Sequence, residues 1–355
     1  MCYFCQLNSL SDLIYSVMIK RESDYSLLHH NTFGVDVKAA TFIEFESQYE
    51  LEEIIKSGIQ QPCFVIGGGS NLLFMGDYCG TILHSAIKDI KILEETDSEV
   101  LVRVGSGVTL DNFIDYSIQM GWQGLENLSA IPGEVGASAV QNVGAYGVEA
   151  GNLIERVEAV GLQDGDLFSF TAEECSFAYR DSFFKKAGKN RYVITYVTYR
   201  LRKLPDAKYS LEYGNLRNMV VNAGDVTPQS IREAVKDIRS AKLPDTSVLG
   251  SAGSFFMNPV ITSQHAASLL KEYPAMPQYD TADGGKKLSA AWLIDRCGWK
   301  EKRMGDVGVY CHQPLVIVNH GDATGKDIYN YSQLIADSVK EKFGVDIQRE
   351  VNIIE

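Results

Sequence analysis

GLENLSAIPGEVGASAVQNVGAYGVE, at residues 124–149, is the stretch of sequence that decides the fold of this chain. Its central part, residues 131–147, contains four glycines and three alanines and is almost free of charge. Such a stretch lets the backbone lie flat against a large planar or phosphorylated group. Tight packing of the chain between two domains has the same composition, so the local sequence leaves both interpretations open.

A second glycine-rich turn lies upstream, GGGSN at residues 67–71, directly after a predicted strand at residues 63–66. Consecutive amides in such a turn form a nest for an anion, and Ser70 and Asn71 supply further hydrogen bonds. The turn lacks both the GK[ST] of a Walker loop and the spacing G-x-G-x-x-G. A flexible connection from a strand to a helix is the alternative interpretation.

The sequence around this turn predicts a β-α-β unit. A strand is predicted at residues 41–45, and Ser47 with Glu50 has the spacing of a capping box at the start of a helix. Gly58 ends that helix, and the strand at residues 63–66 follows it.

Hydrophobic periodicity along the rest of the chain predicts mixed helices and strands. Thr109 is predicted to cap a helix, and Thr227 with Pro228 to begin another. Further elements are predicted as strands at 157–161, 167–171 and 192–201 and as helices at 263–272, 288–297 and 326–343. The pattern indicates a small α/β unit, a larger α+β unit and a third α+β unit from about residue 244.

Length and charge exclude several classes of protein. A chain of 355 residues predicts two or three domains. A net charge of −13 without a basic block argues against nucleic-acid binding, and no apolar run reaches the roughly 18 to 20 residues that cross a bilayer. The start of the chain lacks the pattern of a signal peptide, and seven scattered cysteines suit reduced thiols. We therefore expect a cytoplasmic protein that binds neither nucleic acid nor membranes.

The potential metal ligands do not form a recognisable metal-binding motif. Cys2 and Cys5 form a C-x-x-C pair without a second pair or histidines at finger spacing, and the six histidines lack ligand spacing. We expect no metal site. We also expect Met18 to be the natural start, with residues 1–17 an upstream extension.

Several separated motifs resemble the UDP-N-acetylenolpyruvoylglucosamine reductase family, in order and over nearly the whole chain after residue 25. They are NTFGVDVKA at 31–39, IGGGSNLLF at 66–74, residues 124–149, CSFAYRDSFFK at 175–185, KLPD at 242–245, GSAGSFFMNP at 250–259, AAWLIDRCGWK at 290–300 and FGVDIQREV at 343–351. YSLEYGNL at 209–216 resembles the loop of the tyrosine-bearing subtype.

The resemblance implies an α+β protein with a two-subdomain FAD-binding fold of the vanillyl-alcohol-oxidase (PCMH) type and a C-terminal α+β substrate-binding domain. The expected limits are 1–20 for an N-terminal extension, 21–88 completed by 345–355 for FAD-binding subdomain 1, 89–243 for subdomain 2, and 244–344 for the substrate domain. The expected contacts of non-covalent FAD are Thr32, Ile66, Gly67, Gly68, Gly69, Ser70, Asn71, Pro132, Gly133, Gly136, Ala137, Gln141, Asn142 and Gly144.

The same resemblance implies the reaction and its catalytic residues. NADPH reduces FAD, and the enolpyruvyl group of UDP-N-acetylglucosamine enolpyruvate then receives a hydride on its methylene carbon and a proton on the neighbouring carbon. Arg180 and Glu350 match the residues that stabilise the enolate-like charge, and Ser254 matches the proton donor. Taken alone, a surface ion pair, a solvated carboxylate and a turn residue are the ordinary interpretations of these three.

Five further residues match the family's substrate contacts, and the expected oligomeric state is a monomer. The expected substrate-binding residues are Tyr179, Tyr213, Lys242, Asn258 and Gln313. The family often has Val-Arg after the glutamate, whereas this chain has Val351-Asn352, and we expect Arg349 to replace the missing cation.

Two other functions are compatible with these features. A flavin oxidase of small alcohols or sugars from the same superfamily would be reoxidised by oxygen and would ignore the UDP-sugar. A catalytically inactive nucleotide-binding module would bind FAD or UDP-sugar without turnover. The presence of Ser254, Arg180 and Glu350 together favours the reductase.

Overall fold

A computed structural model of the chain describes residues 20–203, 209–281 and 283–355. The helices are α1 (Gln48–Lys56), α2 (Leu110–Gln119), α3 (Val135–Gln141), α4 (Leu216–Ala223), α5 (Pro228–Lys242), α6 (Ser263–Glu272), α7 (Ala290–Arg296) and α8 (Gly325–Phe343). Cys2, Cys5 and Met18, and with them the predictions of an N-terminal extension, lie outside the described residues.

Short strands outnumber the helices. They are β1 (Arg21–Ser26), β2 (Lys38–Phe45), β3 (Cys63–Ile66), β4 (Leu72–Phe74), β5 (Tyr78–Ser85), β6 (Ile90–Glu95), β7 (Glu99–Gly105), β8 (Gly144–Ala145), β9 (Val148–Glu149), β10 (Ile154–Gly161), β11 (Leu167–Thr171), β12 (Tyr192–Arg202), β13 (Gly250–Ser254), β14 (Val260–Ile261), β15 (Gln278–Asp280), β16 (Lys286–Leu288), β17 (Arg303–Met304), β18 (Val307–Val309), β19 (Val316–Asn319) and β20 (Asn352–Ile354).

The first sheet has the strand order β1-β2-β5-β3, with β2, β5 and β3 parallel. The predicted β-α-β unit is confirmed, with β5 between its two strands. Only half of the predicted capping box forms. Ser47 accepts a hydrogen bond from the Glu50 amide, but the Glu50 carboxylate accepts from the amide of Glu46 rather than from that of Ser47.

The second sheet is antiparallel, with the order β11-β10-β12-β7-β6. Helix α2 packs on it, and the rings of Phe113 and Tyr199 lie 5.1 Å apart between their centroids. Thr109 is the N-cap residue of α2, as predicted, although its side chain makes no capping hydrogen bond. The backbone of Thr109 instead pairs with Glu134, which ties the start of α2 to the glycine-rich stretch.

The C-terminal region contains the sheets β13-β19-β18-β17 and β14-β16-β15, and α8 packs against β18 and β19 of the former. Its last strand, β20, leaves this region and pairs in parallel with β4, directly after the glycine turn at residues 67–71. One hydrophobic cluster runs from Leu27 and Phe74 through Phe255 to Ile335 and Ile354. The C-terminal strand is therefore packed beside the first sheet.

The sequence did not predict α3 and α4, and it placed one helix too early. Glycines at 133 and 136 favour a loop, but Val135 and Ala139 are fully buried, and α3 follows from that packing. The turn at residues 67–71 connects two strands rather than a strand and a helix. The helix predicted from residue 288 begins at Ala290, where the Ser289 side chain accepts a hydrogen bond from the Trp292 amide.

No described helix combines the length and the apolar character that a membrane span requires. Among the described residues, no group of three or more His, Cys, Asp or Glu side chains could hold a metal ion.

Candidate active site

A deep cleft lies between the first two sheets. One wall is the end of β3 with the following turn, and the other is α3 together with the chain that enters β12. The predicted cofactor residues that line the cleft are Ile66, Gly67, Gly68, Gly69, Ser70, Asn71, Gly136, Ala137 and Gln141. The two glycine-rich segments that the sequence singled out therefore face the same space.

The glycines of the cleft wall bring two backbones into direct contact. A Cβ placed on Gly68 would lie 3.3 Å from the Gly133 Cα, and one placed on Gly136 would lie 2.8 Å from the Ser106 Cβ. Gly69 has φ +64° and its added Cβ would lie 1.9 Å from the His30 carbonyl oxygen. The segments therefore pack tightly against each other and also line the cleft, so the two earlier interpretations are compatible.

The polar groups of this wall suit a phosphorylated ligand. The backbone amides of Gly68, Gly69 and Ser70 donate no hydrogen bond to the described part of the chain. Beside them, Thr32 Oγ1 is buried without a hydrogen-bond partner, while the Thr32 amide donates to the Gly69 carbonyl at 3.2 Å. Free amides in a glycine turn attract anions, and a buried hydroxyl requires a partner. The residues present therefore fit a dinucleotide such as FAD.

The other predicted cofactor residues support this wall from behind. Ser70 Oγ donates to the Pro132 carbonyl at 3.1 Å, and Gly133 adopts φ +115° against that side chain. The Asn142 amide group is used internally, because it donates to Glu149 and Ala178 and accepts from the Gly151 amide. The Asn142 side chain therefore shapes the loop around it.

Arg180 and Glu350 form an ion pair beside the cleft, with Arg180 Nε 2.9 Å from Glu350 Oε1. The side chains are 21% and 16% exposed. Arg180 Nη2 also donates to the Gly144 carbonyl at 2.8 Å. Gly144, a predicted cofactor residue, therefore contacts the guanidinium. Arg180 has φ +54°, a conformation that costs free energy in a non-glycine residue and that the surrounding contacts maintain.

Lys185 organises this pair from the cleft side. Its Nζ donates to the Arg180 carbonyl and to Gln141 Oε1, both at 2.8 Å. The Gln141 Nε2 in turn donates to Glu350 Oε1 at 3.3 Å. Burial lowers the pKa of Lys185 below its usual value, although Glu350 and Asp181 act in the opposite direction. Lys185 and Gln141 therefore connect the wall of the cleft to the ion pair.

Ser254 reaches the same region through backbone pairing. The Glu350 amide donates to the carbonyl of Phe255 at 2.8 Å, and Phe256 pairs with Arg349. Phe255 and Phe256 are buried, so this connection is anchored in the core. The C-terminal strand thus brings Glu350 next to the end of β13, where Ser254 lies, and the Arg180 side chain meets Glu350 from the second sheet's region.

The expectation that Arg349 replaces a missing cation is wrong. Its guanidinium donates to Ser332 Oγ and Gln333 Oε1 on α8, and it lies 4.2 Å from the centre of the Tyr329 ring. Successive residues of an extended segment point to opposite sides, so Arg349 faces α8 when Glu350 faces Arg180. Asn352 lines the cleft and donates to the Asn71 carbonyl at 3.2 Å.

The predicted substrate residues come from separate segments, and the ring of Tyr179 lies 5.3 Å from the Arg180 guanidinium carbon. Tyr179 and Tyr213 are exposed, and Tyr213 packs edge-on against Tyr146 with 5.9 Å between ring centroids. Lys242 is exposed at the end of α5. Asn258 Oδ1 accepts from the Ala290 amide at 3.0 Å, and Gln313 Oε1 accepts from the Leu315 amide at 3.4 Å.

Two cations that sequence reasoning missed complete this region. Lys185 lies within the quoted segment 175–185, but only its position on the turn after Arg180 could have signalled a role. Lys287 lies on β16, and its Nζ is 4.8 Å from the centre of the Tyr179 ring. No local signal in the sequence marks Lys287, because its neighbour in space is more than one hundred residues away in the chain.

Comparison with known proteins agrees with this geometry. Residues 39–171 match the family model described as FAD binding domain, and residues 244–354 match that described as UDP-N-acetylenolpyruvoylglucosamine reductase, C-terminal domain. A UDP-N-acetylenolpyruvoylglucosamine reductase of Bacteroides fragilis is 49% identical over 94% of this chain and 100% of its own length. One of Porphyromonas gingivalis is 44% identical over 93% of this chain and 98% of its own length.

Solved structures show the same architecture. The UDP-N-acetylenolpyruvylglucosamine reductase of Thermus caldophilus has a TM-score of 0.65 at 23% identity, and the alignment covers 95% of this chain and 99% of that one. The 6-hydroxy-D-nicotine oxidase of Arthrobacter nicotinovorans has a TM-score of 0.51 at 12% identity and covers 93% and 87%. The predicted α+β class, an FAD-binding fold followed by a C-terminal domain, is confirmed.

Proposed function

The chain belongs to the UDP-N-acetylenolpyruvoylglucosamine reductase family, and on that premise we propose that its cleft and the Arg180–Glu350 pair carry out the family's reduction. The substrate is UDP-N-acetylglucosamine enolpyruvate, and the product is UDP-N-acetylmuramate, a precursor of peptidoglycan. The observation that carries the proposal is the Arg180–Glu350 ion pair. Hydrogen bonds from Lys185 to Gln141 and from Gln141 to Glu350 connect this pair to the cleft wall.

The free amides of residues 68–70 at the cleft wall would hold FAD, with the unpartnered hydroxyl of Thr32 beside them. When bound, FAD supplies hydride transfer from NADPH to the methylene carbon of the enolpyruvyl group. The remaining residues of the wall exclude water, because Gly68 and Gly136 let the two segments close against each other. NADPH, as the donor, and UDP-N-acetylglucosamine enolpyruvate enter in turn.

Arg180 and Glu350 act on the charge that develops when an electron-rich enol ether accepts a hydride. The guanidinium stays protonated and donates to the substrate carboxylate, whose charge grows in the transition state. Because Arg180 is already fixed by Glu350 and the Gly144 carbonyl, little reorganisation is needed at the moment of reaction. Glu350 therefore serves first to hold Arg180 at the angle that the substrate requires.

Ser254 delivers the proton to the carbon next to the ether oxygen. A serine hydroxyl is a weak acid, so its placement beside the Glu350 segment and the charge of Arg180 must assist the transfer. The neighbouring Phe255 and Phe256 are buried and keep this end of β13 rigid. Rigidity matters because proton transfer requires contact within hydrogen-bond distance.

On the outer side, Tyr179, Tyr213, Lys242, Asn258 and Gln313 bind the UDP-sugar. We add Lys287 to this set, since its ammonium lies over the ring of Tyr179 and supplies a local positive charge in an otherwise acidic protein. A dianionic diphosphate needs such local cations. The protein acts as a monomer in the cytoplasm.

The proposal is tested by an anaerobic visible spectrum of the purified protein, titrated first with NADPH and then with UDP-N-acetylglucosamine enolpyruvate. A yellow protein should lose its colour with NADPH and regain it with the enolpyruvyl sugar. Recovery with oxygen alone would favour an oxidase instead. A colourless protein that also stays inert after FAD is supplied would contradict the proposal.

A further inference from the structure

His84 is held between two carboxylates at the back of the cofactor cleft. Its Nδ1 lies 2.8 Å from Glu44 Oε2, and its Nε2 lies 2.9 Å from Glu134 Oε1. The His84 and Glu134 side chains are only 13% and 10% exposed. A neutral imidazole has a single N–H, whereas an imidazolium can donate from both nitrogens. Two carboxylate partners on opposite sides of the ring therefore favour the protonated form.

The other groups around His84 leave this charge in place. His30 packs edge-on against His84 with 5.5 Å between ring centroids, and the Tyr25 hydroxyl lies 3.0 Å from His30 Nε2. Burial and the neighbouring His84 both lower the pKa of His30. Burial also lowers the pKa of His84, but Glu134 and Glu44 together raise it above its usual value.

The second oxygen of Glu134 faces the glycine turn. A Cβ placed on Gly67 would lie 3.2 Å from Glu134 Oε2, so this oxygen covers the first residue of the turn. The next amides, those of residues 68–70, are the ones without an acceptor in the described part of the chain. An anion bound there would lie close to the Glu134 carboxylate. Because the Glu134 side chain is only 10% exposed, such a like-charge contact weakens binding unless a cation compensates it.

We propose that His84 supplies this compensation, so that the imidazolium neutralises Glu134 and sets the affinity of the turn at residues 67–71 for the pyrophosphate of FAD. The inference rests on the proposed function, because it takes FAD as the ligand of the cleft. His84 is a positioning residue, since it acts through Glu134 and not by touching the cofactor. The alternative role of Glu134, accepting a hydrogen bond from a sugar hydroxyl, predicts opposite results in the test below.

The first test is the pH dependence of FAD release from the holoenzyme, followed by the rise in flavin fluorescence after dilution between pH 6 and 9. Below the pKa of His84 the imidazolium is present and release is slow. As the pH rises through that pKa the charge on Glu134 becomes uncompensated, and release should accelerate about tenfold, the effect of one unit of linked pKa change. Nitrogen-15 spectra of His84 at the same pH values should show loss of the doubly protonated ring.

Two substitutions separate the roles of His84 and Glu134. His84→Gln should release FAD about tenfold faster than the wild type at pH 6 and show no acceleration at higher pH. Glu134→Gln should release FAD as slowly as the wild type at pH 6, and it should do so at every pH. The double variant His84→Gln/Glu134→Gln should return to that slow rate. His320→Gln, a substitution of an exposed histidine in the C-terminal region, is the matched control and should behave as the wild type.

The possible outcomes distinguish failure of this inference from failure of the proposed function on which it rests. A double variant that releases FAD as fast as His84→Gln, or a Glu134→Gln variant that releases it faster than the wild type, would overturn the inference and favour the hydroxyl-acceptor role. Release from the wild type that does not change with pH would overturn it as well. A wild-type protein that binds no FAD at any pH would contradict the proposed function itself.

Discussion

The cleft wall and the ion pair beside it are built on opposite principles. The wall consists of backbone and small residues, and its key property is the absence of side chains at Gly68, Gly69 and Gly136. The pair consists of charged side chains, Arg180 and Glu350, which come from segments 170 residues apart. The cleft wall can approach a ligand closely because it lacks side chains at these glycines. The ion pair depends instead on two opposite charges from distant segments.

This difference predicts how each region fails. A glycine in a backbone contact fails when a single carbon is added, since neither backbone can move away. A buried ion pair fails when one partner is removed, because the remaining charge is left uncompensated. The glycine contacts of the cleft wall are therefore sensitive to added size, whereas the ion pair is sensitive to the loss of either charge. The following substitutions separate the two regions, from the largest expected effect to the smallest.

Ser254→Ala should damage the chemistry and leave the cleft intact. Loss of a proton donor typically costs about 10² to 10⁴ in rate. We expect this loss in the second half-reaction, measured by anaerobic stopped-flow as flavin reoxidation by the enolpyruvyl sugar. Flavin reduction by NADPH should remain within about twofold. Ser268→Ala, at an exposed position on α6, is the control. Equal loss in both half-reactions would contradict the assigned role of Ser254.

Gly69→Ala should damage the glycine turn of the cleft wall. Its Cβ would meet the His30 carbonyl oxygen at 1.9 Å in a left-handed conformation, so the turn must move. We expect the free energy of unfolding to fall by about 2 to 4 kcal/mol and FAD affinity to fall at least tenfold, as measured by chemical denaturation and fluorescence titration. Gly76→Ala is the matched control, since an added Cβ meets nothing within 4 Å there. Unchanged FAD affinity would show that the turn does not hold the cofactor.

Lys185→Met should affect both regions weakly, because Lys185 lines the cleft and holds the pair. Methionine has a similar length but cannot donate to Gln141 or to the Arg180 carbonyl. We expect a loss of about tenfold in the second half-reaction and at most threefold in FAD affinity, consistent with the loss of charged hydrogen bonds. Lys189→Met, also at the cleft wall, is the control.

The pH profile sharpens this prediction. Burial lowers the pKa of Lys185, so the ammonium of the wild type is lost at a lower pH than that of a free lysine. The second half-reaction should therefore decline on the alkaline side as the pH rises through the Lys185 pKa, and this decline should be absent in Lys185→Met. A variant that keeps the wild-type decline would assign it to another group.

The elements that sequence predicted well have local causes. Helix α5 begins at Pro228 after its Thr227 cap, and α8 ends at Gly344 in a left-handed conformation, as residues at those positions favour. Helix α3 was missed because its glycines argue against a helix, and only burial of Val135 and Ala139 against the second sheet stabilises it. Thr109 lies at the predicted start of α2, but its side chain makes no capping hydrogen bond, and its backbone pairs with the distant Glu134.

The same division holds for the candidate site. The motifs around Gly67, Arg180 and Glu350 could be located from the sequence, because each is a short run of unusual composition or a match to family segments. The direction of Arg349 and the contacts of Lys287 and Lys185 could not, since each depends on a partner from another part of the fold.

The sequence by itself determined the class of protein, the two glycine-rich segments of the cofactor cleft and the identities of the three proposed catalytic residues. The family resemblance already implied that residues 345–355 complete the first subdomain. Only the tertiary structure decided that β20 pairs with β4, that Glu350 meets Arg180, and that His84 joins Glu44 to Glu134 behind the glycine turn. The physical reason is that the two kinds of feature depend on different neighbours. Backbone conformation depends on neighbours along the chain, whereas the compensation of buried charge depends on neighbours in space.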